Sequence, residues 1–458
     1  MSSTRDILKK YWGYSDFRPL QEEIISSILA GKDTLALMPT GGGKSLTYQV
    51  PGMVMEGICL VVTPLIALMN DQVETLKRLG IKAIALHSGL DKREIDYNLD
   101  SCIYGKVKFL YCSPERLQTS LFRDRLVQMN VDLIAVDEAH CISQWGHDFR
   151  PSYLQIAEIR ALIPGVPLLA VTATATAKVK EEILQFLEMS DANVFQQSFE
   201  RPNLSFSVRH VEDKSTKLRE ILDKIPGSAI VYVRTRRQAN EIANALQRHS
   251  ISARAYHAGL STMQRSEAQQ SWLSGQHRVM VATNAFGMGI DKSDVRSVIH
   301  MAPPNSLEAY YQEAGRAGRD GQKSFAVLLI DPGDALKLKE QLHIAHPDAD
   351  QLKHVYQCLA NHYTLAIGGG EGVSYPFHLA DFAHKYQLDG LLVFHALKRL
   401  SEDGLLKYTD SIFESSRVRV IVDHDDLYKF QVANARYDPF IKALLRLYGG
   451  PLYNEFIK

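Results

Sequence analysis

Residues 38–45 read Met-Pro-Thr-Gly-Gly-Gly-Lys-Ser, between an apolar run, Thr34-Leu35-Ala36-Leu37, and a stretch with helical spacing, Leu46-Thr47-Tyr48-Gln49-Val50. Strand, glycine turn and helix start, in that order, make a phosphate cradle. Backbone N–H groups of Thr40, Gly41, Gly42 and Gly43 can surround phosphate oxygens, Lys44 can reach the outer phosphates and Ser45 can ligand Mg²⁺. Met38 stands where such loops usually begin with glycine. A second stretch, Asp137-Glu138-Ala139-His140, ends the apolar run Val131-Asp132-Leu133-Ile134-Ala135-Val136. An acid at a strand end, Asp137, can hold the metal, and Glu138 can polarise water. Either stretch alone could be a chance glycine turn or a solvated strand end. The two together imply hydrolysis of a nucleoside triphosphate.

A chain of 458 residues has room for about three domains of ordinary size. Lys+Arg and Asp+Glu are both 52, and the pI is about 7.3. The neutral total offers nothing for nucleic acid, although a basic groove can hide inside it. The five cysteines contain no CxxC pair, so neither a disulfide framework nor a zinc knuckle is read. Free thiols suit a reducing cytosol. No apolar run reaches spanning length, and Met1-Ser2-Ser3-Thr4-Arg5-Asp6 lacks an apolar signal core. The expectation is a soluble cytoplasmic protein with no membrane partner, associated with the nucleoid if bacterial.

Three pairs of segments echo each other at an offset of 170 residues. Ala83–Leu90 resembles Ala253–Leu260, Leu60–Thr63 resembles Ile230–Val233, and the strand ending at Cys112-Ser113 resembles the one ending at Ala282-Thr283. A shared offset points to a duplicated α/β unit. Apolar strands alternating with helical stretches predict parallel sheets covered by helices on both faces, with ligands at the carboxyl ends of the strands.

The second half has no phosphate loop but carries Gln312-Glu313-Ala314-Gly315-Arg316-Ala317-Gly318-Arg319-Asp320-Gly321. Arg316 and Arg319, three residues apart, share a face if this segment is helical. Alone they read as a solvated face or a surface salt bridge. Opposite a phosphate loop they read as guanidinium groups for the γ-phosphate, supplied by one lobe to the other. Phe199-Glu200-Arg201-Pro202-Asn203 looks like the connection between lobes, because Pro202 ends regular structure there.

At this point the residues match a family. Thr40 to Ser45, Asp137 to His140, Thr172 to Thr176 and Gln312 to Arg319 resemble the motif series of superfamily 2 helicases. Cys141-Ile142-Ser143-Gln144-Trp145-Gly146-His147-Asp148-Phe149-Arg150-Pro151 resembles the aromatic-rich loop of RecQ DNA helicases. Tyr14 with Phe17-Arg18-Pro19-Leu20-Gln21 resembles that family's adenine motif, and Ala285 to Asp291 is also characteristic. The resemblance covers residues 5–335. It implies an α/β fold of two tandem RecA-like lobes, 1–203 and 204–335, followed by a mainly helical region, 336–458. The implied activity is ATP-driven 3′→5′ translocation on single-stranded DNA with duplex unwinding, in recombination or repair.

Residue by residue, the resemblance implies that Tyr14 and Arg18 sandwich the adenine and Gln21 bonds its edge. Lys44 contacts the β- and γ-phosphates, Ser45 and Asp137 hold Mg²⁺, and Glu138 is the general base. Gln312, Arg316 and Arg319 sense the γ-phosphate, and Asp291 contacts the ribose. Trp145 and Phe149 offer faces for base stacking, worth about 1–3 kcal/mol per base; their bland reading is core packing. Arg150 is placed to pair with a phosphate, with His147 as a polar neighbour. Backbone contacts to DNA are expected at the strand ends Thr63-Pro64, Ser88-Gly89, Ser113-Pro114, Arg234-Thr235, His257-Ala258-Gly259 and Thr283-Asn284. The partners implied are single-stranded DNA and single/double-strand junctions.

Many RecQ proteins follow the motor with a platform carrying four zinc-binding cysteines. Here only Cys358 lies beyond residue 141, so ATP and Mg²⁺ are expected but zinc is not. In the last region, helical spacing predicts helices over 347–365, from His378, and over 391–404. Arg417 to Val422 alternates like a strand. The set reads equally as a winged helix or as a helical bundle. Rival readings are an RNA helicase on the same scaffold, a DNA-binding protein with a vestigial ATPase, and a translocase that unwinds poorly.

Overall fold

The computed structural model describes the chain except residues 1–2, 40, 88, 144–148, 174, 288–291, 367, 409–419, 421, 423 and 449–458. The apolar runs form parallel strands. The first lobe contains β1 (Thr34–Leu37), β2 (Ile58–Val62), β3 (Ala83–Leu86), β4 (Phe109–Cys112), β5 (Val131–Val136), β6 (Leu168–Thr172) and β7 (Asn193–Gln196), in the order β3-β4-β2-β5-β6-β1-β7. The second contains β8 (Leu204–His210), β9 (Ser228–Tyr232), β10 (Ala253–Tyr256), β11 (Val279–Ala282), β12 (Val295–His300) and β13 (Ser324–Ile330), in the order β10-β11-β9-β12-β13-β8. These are two RecA-like lobes.

Both sheets are sandwiched, as their composition demands. Leu35 and Leu37 face one core while Ala36 and Met38 face another across the sheet. In the second lobe Ile230 and Tyr232 face one core, Ala229 and Val231 the other. Strands apolar at every position cannot leave a face in water, so helices must cover both.

The duplication runs deeper than the three strand pairs. β1 and β8 also begin 170 residues apart, and so do the helices Ile66–Arg78 and Arg236–Arg248 at both ends. The helices Lys92–Tyr104 and Thr262–Leu273 open on reciprocal caps at matching positions, Asp91 with Glu94 and Ser261 with Gln264. Each cap satisfies two N–H groups that a helix start leaves without partners. Even single hydrogen bonds correspond: Asp137 N to the Val62 carbonyl and Met301 N to the Tyr232 carbonyl are both 2.9 Å.

The chain divides into two compact units, Met1–Asp334 and Ala335–Lys458. The second contains helices Ala349–His362, Leu379–Tyr386, Gly390–Glu402, His424–Ala433 and Asp438–Tyr448. The first three pack around Val355, Phe382, Val393, Ala396 and Leu397. The last two were not read from the sequence. Their signals were present, however: Asp425 and Asp426 in a first turn, Pro439 early in a helix, and Phe440, Leu444 and Leu447 along one stripe. Most of the expected strand over 417–422 lies outside the described residues. Among the described residues, no helix is long and apolar enough to cross a membrane.

Candidate phosphate site and nucleic-acid face

β1 delivers the chain into the glycine loop with Gly41 and Gly43 left-handed, at φ 80° and 76°. Only glycine enters that region without strain. The space is restricted as well. A Cβ on Gly43 would collide with the Gln21 amide, and one on Gly41 would lie 2.9 Å from Cγ of Arg319. The helix Leu46–Val54 follows, with Ser45 at its N-cap and no side-chain cap bond, so its first N–H groups face the loop.

The expected adenine motif is docked on this loop. Gln21 is buried, and its amide donates to the carbonyls of Gly42 (3.2 Å) and Gly43 (3.0 Å), while its Oε1 accepts from Arg18 N at 2.9 Å. The Arg18 guanidinium bonds the Gly41 carbonyl. Tyr14 is 53% exposed, leaving its ring open to a partner.

Asp137 and Glu138 end β5, and both are buried. Asp137 Oδ1 accepts from Glu138 N at 2.9 Å, and the Asp137 carbonyl accepts from Tyr153 Oη at 2.9 Å. Burial, then the neighbouring Glu138 charge, push the Asp137 carboxyl up to about 7, against the pull of Lys44. Glu138 is held left-handed at φ 49°, which puts backbone strain at the site. Its Oε2 is buried without a hydrogen-bond partner among the described residues, 3.4 Å from His140 Nδ1. That ring nitrogen lies 2.7 Å from Thr172 Oγ1 at the end of β6. Two adjacent buried carboxylates beside a lysine, one with an orphaned oxygen, form a donor set that a divalent cation fits.

The helical condition for the two arginines sharing a face is not met. The helix Leu307–Ala314 stops before them, capped at Gly315, and Gly318 turns left-handed at φ 64°. Arg316 and Arg319 therefore sit in successive turns rather than on one helical face. Arg316 is buried within its own lobe, bonding the Gly287 carbonyl. Arg319 instead crosses to the first lobe and lies over Gly41. Gln312 is buried in the preceding helix. Asp71 and Gln269, on helices of different lobes, form a second bridge.

Sequence reading missed what aims these arginines. Arg201, in the connection between lobes, donates to the carbonyls of Gly315 (3.3 Å), Ala317 (3.0 Å) and Gly318 (3.0 Å). Asn203 adds a bond to the Gly318 carbonyl at 2.7 Å. The only sequence signal was two polar side chains flanking Pro202.

At the strand ends, Thr63, Pro64, Ser113, His257 and Thr283 are buried, while Asn284 is exposed. Among the described residues the Thr63 hydroxyl has no hydrogen-bond partner. His257 Nε2 is 3.1 Å from Asn240 Nδ2, and Arg234 bonds the Pro303 carbonyl at 3.1 Å. Arg150 donates to the Pro64 carbonyl at 2.9 Å, tying the end of the aromatic stretch to the tip of β2; Phe149 beside it is half-buried. Thr40, Ser88, Trp145, His147 and Asp291 lie outside the described residues.

Family matches follow the same division. The DEAD/DEAH box helicase family matches residues 18–183, the helicase conserved C-terminal domain 213–321, and the RecQ helicase winged-helix domain of Bacteroidota 418–458. The chain is 43% identical over 347 residues to an ATP-dependent DNA helicase RecQ of Pasteurella multocida, covering 76% of this chain and 55% of that one. It is 43% identical over 347 residues to a probable ATP-dependent DNA helicase RecS of Bacillus subtilis, covering 75% and 69%. The chain thus spans little more than half the length of the first relative and over two thirds of the second. Its fold resembles Mycobacterium smegmatis helicase Lhr bound to ssDNA and AMP-PNP, with a TM-score of 0.58 at 21% identity, covering 86% and 55%.

Proposed function

Because the chain belongs to the RecQ family of superfamily 2 helicases, we propose that it is an ATP-dependent DNA helicase that moves 3′→5′ on single-stranded DNA and separates duplex at junctions. The observation that carries this reading is Arg319 of the second lobe lying over Gly41 of the first lobe's phosphate loop. A charge supplied across the gap makes hydrolysis depend on closure, which is what a motor needs.

ATP lies with its phosphates on the N–H groups of Gly41–Ser45 and on Lys44, and its base beside Tyr14, Arg18 and Gln21. To bind it, Arg18 and Gln21 give up the loop carbonyls they hold. Glu138 accepts the proton of the attacking water as the water oxygen bonds the γ-phosphorus and the bond to the β-phosphate oxygen breaks. Arg319, with Arg316 and Gln312 behind it, stabilises the charge moving onto the leaving oxygen. Ser45 and Asp137 would hold Mg²⁺, which would screen the phosphate charges. His140, through Thr172, links the acidic strand end to β6. DNA runs along the strand ends, with Thr63, Ser113, Arg234, His257, Thr283 and Asn284 toward its backbone. The aromatic stretch, from Trp145 to Arg150, stacks bases and reports occupancy through Arg150 and Pro64.

The reading includes no zinc; what supports it is that four of the five cysteines are buried in the first lobe and Cys358 packs into a helical core. Metal analysis of the purified protein should find far less than one zinc per chain. The function is tested on duplexes with a 3′ or a 5′ single-stranded tail, with Glu138→Gln as control. ATP-dependent separation from the 3′ tail alone, lost in the control, is expected. Hydrolysis stimulated by DNA with no separation would reduce the protein to a translocase, and stimulation by RNA alone would make it an RNA helicase.

A further inference from the structure

The 170-residue offset also relates Lys44-Ser45 to Lys214-Ser215. Lys214 opens the helix that follows β8, just as Lys44-Ser45 leads into the helix that follows β1. The chemistry around the lysine has been replaced. Glu212-Asp213 stand in place of Gly42-Gly43, and Asp213 Oδ1 accepts from Ser215 N (2.9 Å) and Thr216 N (3.1 Å). A carboxylate there takes the N–H groups an incoming phosphate would need. Met301 stands in place of Asp137, so the metal ligand is gone too.

The lysine nonetheless keeps its direction. Lys214 Nζ donates to the Met301 carbonyl at 2.8 Å and pairs with Asp331 at 2.9 Å and with Asp334. Asp331 directly follows β13, and Asp334 is almost fully buried. The two acids lock one turn: Asp331 Oδ1 accepts from Gly333 N (2.8 Å) and Asp334 N (3.1 Å), and Asp334 Oδ2 accepts from Asp331 N at 3.0 Å. That turn starts the helix Pro332–Ala345, within which the chain leaves the first compact unit for the second.

We infer that Lys214 is a positioning residue of the motor: the turn of the second lobe that matches the phosphate loop grips two carboxylates in place of a phosphate, and so holds the start of the helix Pro332–Ala345 in the position that strand separation needs. The inference rests on the helicase reading. Lys214 pairs with both carboxylates and Asp334 is almost fully buried, so deleting the cation takes this partner from a buried charge.

The test compares wild type, Lys214→Met, Lys214→Arg and the charge-neutral variant Lys214→Met/Asp331→Asn/Asp334→Asn. DNA-stimulated hydrolysis, strand separation and amide hydrogen exchange over 332–340 are measured on the same preparations. Lys214→Met should keep hydrolysis within about twofold and lower strands separated per ATP about tenfold, within the range of coupling between sites. Exchange over 332–340 should rise about tenfold as the turn loosens. Lys214→Arg should restore all three. If Lys214→Met fails to fold, the neutral variant carries the comparison with the same expectation. Parallel loss of hydrolysis and separation in a folded variant, or unchanged exchange, overturns the inference. A wild type that separates no strands sinks the helicase reading instead, and the exchange data then decide the grip on their own.

Discussion

The turn at Lys44 and the turn at Lys214 occupy the same place in two copies of one fold. In the first lobe, three glycines leave the backbone N–H groups without a side chain in front of them, two of those glycines are left-handed, and the facing strand tip offers Asp137. In the second, Asp213 covers the N–H groups, the facing tip offers only the Met301 carbonyl, and the lysine is met by Asp331 and Asp334. The same scaffold carries both turns, one open to a phosphate and one filled by the chain's own carboxylates. A phosphate cradle exists only where the chain omits its own anions, and a lysine left in such a turn will bind whichever anion the chain supplies.

That contrast can be broken in several places. The largest effect is expected from Arg319→Ala, which removes the side chain lying over Gly41 of the first lobe's loop: under the proposed finger role, DNA-stimulated phosphate release should fall about 10³-fold while a fluorescent nucleotide still binds. Near-normal turnover would mean that the two lobes do not share a site. Gly41→Ala comes next. Its Cβ would meet Arg319 at 2.9 Å in a left-handed backbone, and a misplaced finger should cost about 10²-fold in hydrolysis. Arg201→Ala should lower kcat about tenfold with KM little changed, because the turn is then less well aimed; a change confined to KM would argue against aiming. Smallest is Val211→Ala, at the position in the second lobe that matches Gly41. It should cost about 1 kcal/mol in denaturant unfolding, a typical loss for a partly buried apolar side chain, and leave hydrolysis intact.

The two lobes were legible because duplication writes itself in register: Leu60 and Ile230, or Asp91 and Ser261, stand at the same step of the same plan. The loop, the paired acids and the arginines opposite them could be read because their chemistry needs particular residue types. What stayed hidden depends on carbonyls. Gln21 on Gly42, Arg201 on Gly315 and Lys214 on Met301 each bond a backbone oxygen, which any residue could present, so no side-chain pattern marks the acceptor. Arg316 and Arg319 share a face only if a helix runs through them, and periodicity alone does not show that the helix Leu307–Ala314 is capped at Gly315, before them.

The bonds from Arg201 and Asn203 to the arginine turn also bear on timing. The connection between the lobes and the arginine turn are fastened together, so in the proposed closure an angular error at the connection becomes a positional error at the guanidinium with little play between them. If the lobes close over the nucleotide as proposed, such a linkage acts as a threshold device: the guanidinium takes effect only over the last part of the approach, where electrostatic stabilisation depends steeply on distance. Under that reading, fuel is burned only at the end of each stroke.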